Sequence, residues 1–273
     1  MVAEPRISER RPSCGNQHAG WPTASGCLTL LQSTMVIRIS NSLPAIRCAG
    51  RRWLIVIAAT VLAGGSFGGE NTDAASPGMP VVWKFDQFPL IAGRPVEILG
   101  APQLKDGDGT KHLHFDGVGD GLVVPSNPLA GLRDFTIEVL FRPEAGGQEA
   151  QRFLHLQDEG GSRVLMEIRL TPQGQWALDT FLFSAAGSLP LFDRAKLHPA
   201  GEWHWVALRY DAQRMTSFVD GRKELEGAIA FAPMKPGQTS LGVRLNRVFW
   251  FKGDVREVRF TPAALGEEAL QGN

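Results

Sequence analysis

The chain has 273 residues and balances 28 Lys/Arg against 28 Asp/Glu, but seven of the basic and only two of the acidic residues precede residue 70, which leaves the remainder five charges negative. A mildly acidic body without a basic cluster argues against nucleic acid or an anionic membrane as partner. The three cysteines, Cys14, Cys27 and Cys48, all lie in the first fifty residues, so disulfides, thiol nucleophiles and cysteine-bound zinc are excluded from everything after them.

Residues 1–34 are rich in Arg, Ser, Pro and Gly without periodicity and read as a non-structural upstream extension. Residues 35–69 read as a signal-peptide region. Arg47, Arg51 and Arg52 precede the apolar run Trp53–Ala63, and small residues (Gly64, Gly65, Ser66, Gly68, Gly69) follow it. The run falls short of the ~20 apolar residues a spanning helix needs. The expectation is export, with cleavage between Ala63 and Ala75 and a secreted, periplasmic or cell-surface destination. Membrane association would arise only through an uncleaved leader. Residues 70–80 read as a linker, 81–266 as one domain and 267–273 as a tail.

From Val81 onward, short runs of strand character follow one another, separated by Gly, Pro, Asp and Asn. They cover residues 81–85, 96–99, 112–115, 122–124, 135–141, 152–157, 164–170, 176–183, 203–210, 215–219, 240–245 and 254–260. Two of them alternate strictly. Phe135, Ile137, Val139 and Phe141 share one face, with Thr136, Glu138 and Leu140 on the other. Val164, Met166, Ile168 and Leu170 oppose Leu165, Glu167 and Arg169. Val219-Asp220-Gly221-Arg222 predicts a two-residue hairpin, because Asp-Gly supplies the positive φ such a turn demands. A short helical turn is expected near Pro262–Leu265. Many short strands with frequent turns predict an all-β, two-sheet antiparallel sandwich.

Five motifs arrive in order: Leu113-His-Phe-Asp-Gly-Val-Gly-Asp-Gly-Leu-Val-Val-Pro125, Phe135-Thr-Ile-Glu-Val-Leu-Phe-Arg-Pro143, Trp203-His-Trp-Val-Ala-Leu-Arg-Tyr-Asp211, Phe218-Val-Asp-Gly221 and Phe251-Lys-Gly-Asp-Val-Arg-Glu-Val-Arg-Phe260. Together they resemble the laminin-G-like, concanavalin A-like lectin/glucanase superfamily over roughly residues 81–266. The resemblance implies a jelly roll. It implies activity less firmly, since that fold carries lectins, sugar-binding modules, glycosidases and lyases.

The residues weigh against the enzymes. Retaining glucanases of this fold place alternating Glu and Asp on one strand, whereas Glu167-Ile-Arg169 has Arg at a carboxylate position. A lyase of this fold uses a tyrosine beside its substrate; the single tyrosine, Tyr210, shares its face with Val206 and Leu208 and is expected in the core. Calcium is the one cofactor the resemblance raises. The family's last-strand aspartate position is Arg256 here, which leaves Asp116, Asp120 and Asp254 as oxygen donors. His112 and His114 stand two apart on a strand, and sequence places no third metal ligand beside them.

The polar sheet face is therefore the expected site. It is expected to collect Glu138, Arg142, Glu167, Arg169, Asp179, Trp205, Arg209, Arg244 and Asn246, with Trp250 at its rim. Planar hydrogen-bonding groups around an exposed aromatic ring suit sugars. The expected function is an exported, non-catalytic module binding carbohydrate, either a polysaccharide or a cell-surface glycan. The alternative is a polysaccharide hydrolase or lyase with an unfamiliar constellation on the same face.

Overall fold

The computed structural model describes residues 78–107 and 109–273. The expected extension, the signal region and nearly all of the expected linker lie outside the described residues. Among the described residues, no helix is long and apolar enough to cross a membrane.

The strands, in chain order, begin with β1 (Val81–Trp83), β2 (Leu90–Ile91), β3 (Arg94–Pro95), β4 (Glu97–Leu99), β5 (Gln103–Gly107) and β6 (Thr110–Asp116). Then come β7 (Gly121–Val124), β8 (Phe135–Pro143), β9 (Ala150–Asp158), β10 (Arg163–Leu170), β11 (Gln175–Ser184) and β12 (Gly187–Phe192). The last are β13 (His198–Pro199), β14 (His204–Tyr210), β15 (Arg214–Val219), β16 (Arg222–Ala228), β17 (Gly237–Leu241) and β18 (Lys252–Thr261). One 3-10 turn, Glu267–Ala269, falls just beyond the helical turn expected at 262–265. The expected strand at 240–245 is shifted: β17 ends at Leu241, and Arg244 to Arg247 close a turn.

Two large antiparallel sheets result, beside the small β2–β3 ribbon. The first runs β16-β15-β14-β8-β18-β6-β5, with β1 also on β18. The second runs β12-β11-β10-β9-β17-β7-β4, with β13 also on β11. The predicted hairpin joins β15 to β16, and Asp220 and Gly221 take φ of 46° and 71°. These all-β layers form the expected jelly-roll sandwich.

Between the sheets lies one apolar core. Phe135, Ile137, Val139, Phe141, Val164, Met166 and Ile168 are all buried in it, as the alternation requires. Phe141 of the first sheet stacks on Phe153 of the second at 4.6 Å and meets Trp176 edge-on at 5.0 Å. Burial of each large side chain contributes ~1.5–3 kcal/mol, so this seam dominates the cohesion of the two sheets. Tyr210 is in the core as expected. Its hydroxyl donates toward the Ile229 carbonyl and accepts the Phe231 N–H. Trp83 and Trp176 are fully buried.

Candidate functional site

The expected single polar face is two faces. Glu138, Arg142, Trp205 and Arg209 lie on β8 and β14 of the first sheet, whereas Glu167, Arg169 and Asp179 lie on β10 and β11 of the second. Both sets point away from the shared core, so they are on opposite outer surfaces of the sandwich. Alternation tells which residues share a face of one strand. It does not tell which sheet receives the strand, and the β8–β9 connection passes from one sheet to the other.

The first sheet's outer face is largely covered by the chain itself. The 267–273 segment is docked, not a free tail: Gln271 N–H donates to Glu138 Oε1 at 2.7 Å, and Leu270 packs against Ala207 and Phe218. Upstream of it, Leu265 N–H donates to Thr136 Oγ1, which in turn donates to the Ala263 carbonyl. Arg209 donates to the Leu265 carbonyl and lies 5.1 Å from the Phe218 ring. Trp205 is half-buried where Gly272 passes its Cβ, so the exposed aromatic platform expected from sequence is not there. Burial pushes the Glu138 carboxyl upward, opposed by the Gln271 N–H and Arg259.

The second sheet's outer face is open and carries a groove. Glu167 and Asp179 are directly opposite on β10 and β11, and Glu167 also opposes Arg152 on β9. Like charges facing one another need a bridge. Arg169 supplies it, donating to Asp179 Oδ2 at 2.6 and 2.8 Å and to Glu167 Oε2 at 3.2 Å. Arg152 reaches the same Glu167 oxygen at 2.9 Å and lies 3.7 Å from the Phe249 ring. Burial pushes both carboxyls up, and it lowers the Arg152 pKa.

Around this network is a cleft of about 220 Å³ lined by Arg152, Arg163, Glu167, Arg169, Phe181 and Arg244 among others. Arg169 is shared with a larger neighbouring cleft of about 550 Å³ that extends to Phe192, Arg194 and Leu197. Arg163 lies 4.5 Å from Phe183 and 5.8 Å from Phe181. Among the described residues, neither Arg163 nor Arg244 has a carboxylate within ion-pair distance. Behind them is His155, with 1% of its surface exposed; its Nδ1 accepts the Leu245 N–H at 3.0 Å and its Nε2 has no protein partner. Burial, then Arg244, Arg163 and Arg152, lower its pKa to about 3. Sequence reading missed Arg152 and Arg163. Both are ordinary strand arginines until the bulge between Met166 and Glu167 and the Arg244 turn bring them together. Asn246 is exposed on that turn and Trp250 half-buried after it; neither lines the clefts.

The three carboxylates named as calcium donors each have protein partners. Asp116 Oδ1 accepts the N–H groups of Val118, Gly119 and Asp120. Burial works against the charge, yet these donors hold the Asp116 carboxyl below its ordinary pKa. Asp120 accepts the Ala101 and Asp116 N–H groups. Asp254, fully buried on β18, is held by Arg142 at 2.7 and 2.8 Å and by His114 at 3.1 Å. Calcium takes six to eight oxygen ligands; Asp116 and Asp120 accept main-chain N–H groups, and among the described residues Asp254 clusters with His114 and Glu144, not with them.

Two antiparallel sheets packed face to face, with a polar groove on one outer surface, define a lectin-type jelly roll. The chain belongs to the concanavalin A-like lectin/glucanases superfamily, whose family model matches residues 116–271. No curated protein matches it. Among solved structures it is similar to domain 4 of AbnA, an extracellular GH43 arabinanase from Geobacillus stearothermophilus, in complex with arabinotriose. That likeness has 20% identity and a TM-score of 0.52, over 71% of this chain and 97% of that one. It is also similar to the botulinum neurotoxin serotype D ligand-binding domain in complex with N-acetylneuraminic acid (13% identity, TM-score 0.54, 69% and 48% covered). The binding domain of Paraclostridial Mosquitocidal Protein 1 is a further likeness (13%, 0.54, 69% and 50%). The match thus spans about half the length of each toxin domain, and at these identities the likeness speaks to fold.

Proposed function

We propose that this chain is an exported glycan-binding module whose ligand lies along the outer face of the second sheet and carries acidic groups. Export rests on the leader-like residues 35–69. Binding of carbohydrate is supported by the family and by fold neighbours solved with arabinotriose and with N-acetylneuraminic acid.

The observation that carries the reading is the pair Arg163 and Arg244, which among the described residues has no carboxylate within ion-pair distance. Arg163 and Arg244 face one cleft with Arg152 beside them, and burial, then the Arg244 charge, lower the Arg163 pKa. Guanidinium groups are repelled when held together in a partly desolvated cleft. An anionic partner offsets that repulsion, and the planar fork matches a carboxylate or sulfate. The Phe181 ring supplies apolar surface in the same cleft. The groove is positive although residues 70–273 are net acidic, so the local charge is not a reflection of bulk composition.

The test is retention of the purified protein on immobilised polygalacturonate, dextran sulfate and neutral arabinan. Acidic columns should retain it, with retention falling as salt rises. The Arg163→Ala, Arg244→Ala double variant should lose at least tenfold in affinity. Equal retention on neutral arabinan would sink the acidic-ligand reading; no retention on any column would sink the binding reading. New reducing ends or unsaturated products that vanish in Glu167→Gln would establish an enzyme in place of a module.

A further inference from the structure

A second polar cluster stands on the other sheet, away from the arginine groove. His112 and His114 are two apart on β6 and project to the same outer side. Asp254 of β18 lies directly opposite His114, with Arg142 opposite it on the other flank, and Glu144 follows the end of β8. His114 Nδ1 is 3.1 Å from Asp254 Oδ1 and 3.7 Å from Glu144 Oε1; His112 Nε2 is 3.6 Å from the same Asp254 oxygen. One donor atom from each of His114, Glu144 and Asp254 lies within 4.8 Å of the others.

We propose that His114, Glu144 and Asp254 bind a divalent transition ion of the zinc type, with the adjacent His112, which reaches the same Asp254 oxygen, completing the set. Three observations converge on this reading. First, nitrogen and oxygen ligands about 2.0–2.2 Å from a tetrahedral zinc ion are roughly 3.3–3.6 Å apart; the His114–Asp254, His112–Asp254 and His114–Glu144 pairs, at 3.1, 3.6 and 3.7 Å, lie near that spacing, and His114, Glu144 and Asp254 all fall within 4.8 Å of one another. Second, His112 is 4% exposed and neither ring nitrogen has a hydrogen-bond partner. A buried polar group left unmade costs about 1–3 kcal/mol, and a metal bond at Nε2 removes that cost. Third, the Asp254 carboxylate is divided. Oδ2 takes both Arg142 donors and Oδ1 faces the imidazoles. That is how an outer hydrogen-bond partner orients a ligating carboxylate.

The donor chemistry selects the ion. Two imidazoles with two carboxylates suit zinc, cobalt or nickel and do not suit calcium or magnesium, which prefer oxygen throughout. Glu144 and His114 keep partial exposure, side-chain values of 36% and 17%, which opens an entry path from solvent. Trp203 meets His112 edge-on at 5.4 Å and is flanked by Arg142 and Arg256 at 4.9 and 4.1 Å, closing the opposite side. The sequence shows the His-x-His pair; only the pairing of β6, β18 and β8 supplies the carboxylates.

Untagged full-length protein, stripped with a chelator, should be titrated with zinc chloride by calorimetry and with cobalt chloride by visible absorption. One equivalent of zinc per chain, a raised melting temperature and the intense absorption bands of tetrahedral cobalt are expected. His114→Ala and Glu144→Gln should each weaken zinc at least tenfold while preserving the far-UV spectrum. His198→Ala should bind as the parent does, since His198 instead pairs with Glu224. No zinc uptake by the parent, uptake of calcium in its place, or zinc binding unchanged in a folded His114→Ala, Glu144→Gln double variant would each overturn the proposal.

Discussion

The carboxylate of Glu138 accepts the main-chain N–H of Gln271 at 2.7 Å, joining the middle of β8 to a residue 133 positions further along the chain. A charge in the centre of a sheet face is thereby satisfied by the protein's own C-terminal segment. With the Thr136, Arg209 and Leu270 contacts around it, that bond makes the segment part of the domain. The same contacts cover the β8–β14–β15 part of the first sheet's outer face and leave the second sheet's groove as the open one.

Leu270 is 4% exposed against Ala207 and Phe218. Leu270→Ala should therefore lower unfolding free energy by about 2–3 kcal/mol, within the usual range for a buried leucine, as read by urea titration. Limited proteolysis should at the same time cut the segment beyond Thr261 sooner than in the parent. A loss below ~0.5 kcal/mol, the scale of a surface substitution, would show that the segment is undocked in solution.

Trp205 is half-buried beside Gly272 and is on the sheet opposite the groove. Trp205→Ala should destabilise the fold by roughly 1–2 kcal/mol, less than the 3–5 of a fully buried aromatic. Retention on polygalacturonate, corrected for the folded fraction, should be unchanged. Weaker retention at equal stability would return the site to the first sheet.

Trp205 also shows where sequence reading stops. Period-2 alternation from Phe135 to Phe141 and from Val164 to Leu170 fixed the buried faces, and every core residue named from it is buried. The Asp220-Gly221 turn was equally legible, because its chemistry is local. Partition of β8 and β10 between two sheets is set by long-range packing, which one strand's pattern does not encode. Glu138 and Glu167 therefore look alike in sequence, although one is capped by Gln271 and the other lies in an arginine network. The groove's Arg152, Arg163 and Arg244 come from two strands and a turn. The carboxylates beside His112 and His114 come from strand partners some 30 and 140 residues away in the chain.

His155 gives the clearest pH signature. Its folded pKa is about 3, against an ordinary 6.5, because burial and the Arg244, Arg163 and Arg152 charges oppose its protonation. Above pH 6.5 both folded and unfolded chains keep this imidazole neutral, and it has no effect on the equilibrium. Below pH 6.5 the unfolded chain takes up the proton and the folded one does not. Stability must then fall as pH drops from about 6.5 toward 3, at a slope approaching ~1.4 kcal/mol per pH unit. Glu167 and Asp179 act in the opposite direction, because carboxyls pushed up by burial bind protons in the folded state first. The parent's own acid profile therefore blends the two effects, and a difference measurement separates them. His155→Asn keeps an acceptor for the Leu245 N–H but cannot titrate. Its unfolding free energy, relative to the parent, should rise by about 1 kcal/mol per unit between pH 6 and pH 4. A difference that stays flat across that interval would mean that His155 protonates freely in the folded protein, and the dry, arginine-ringed floor of the groove would have to be abandoned.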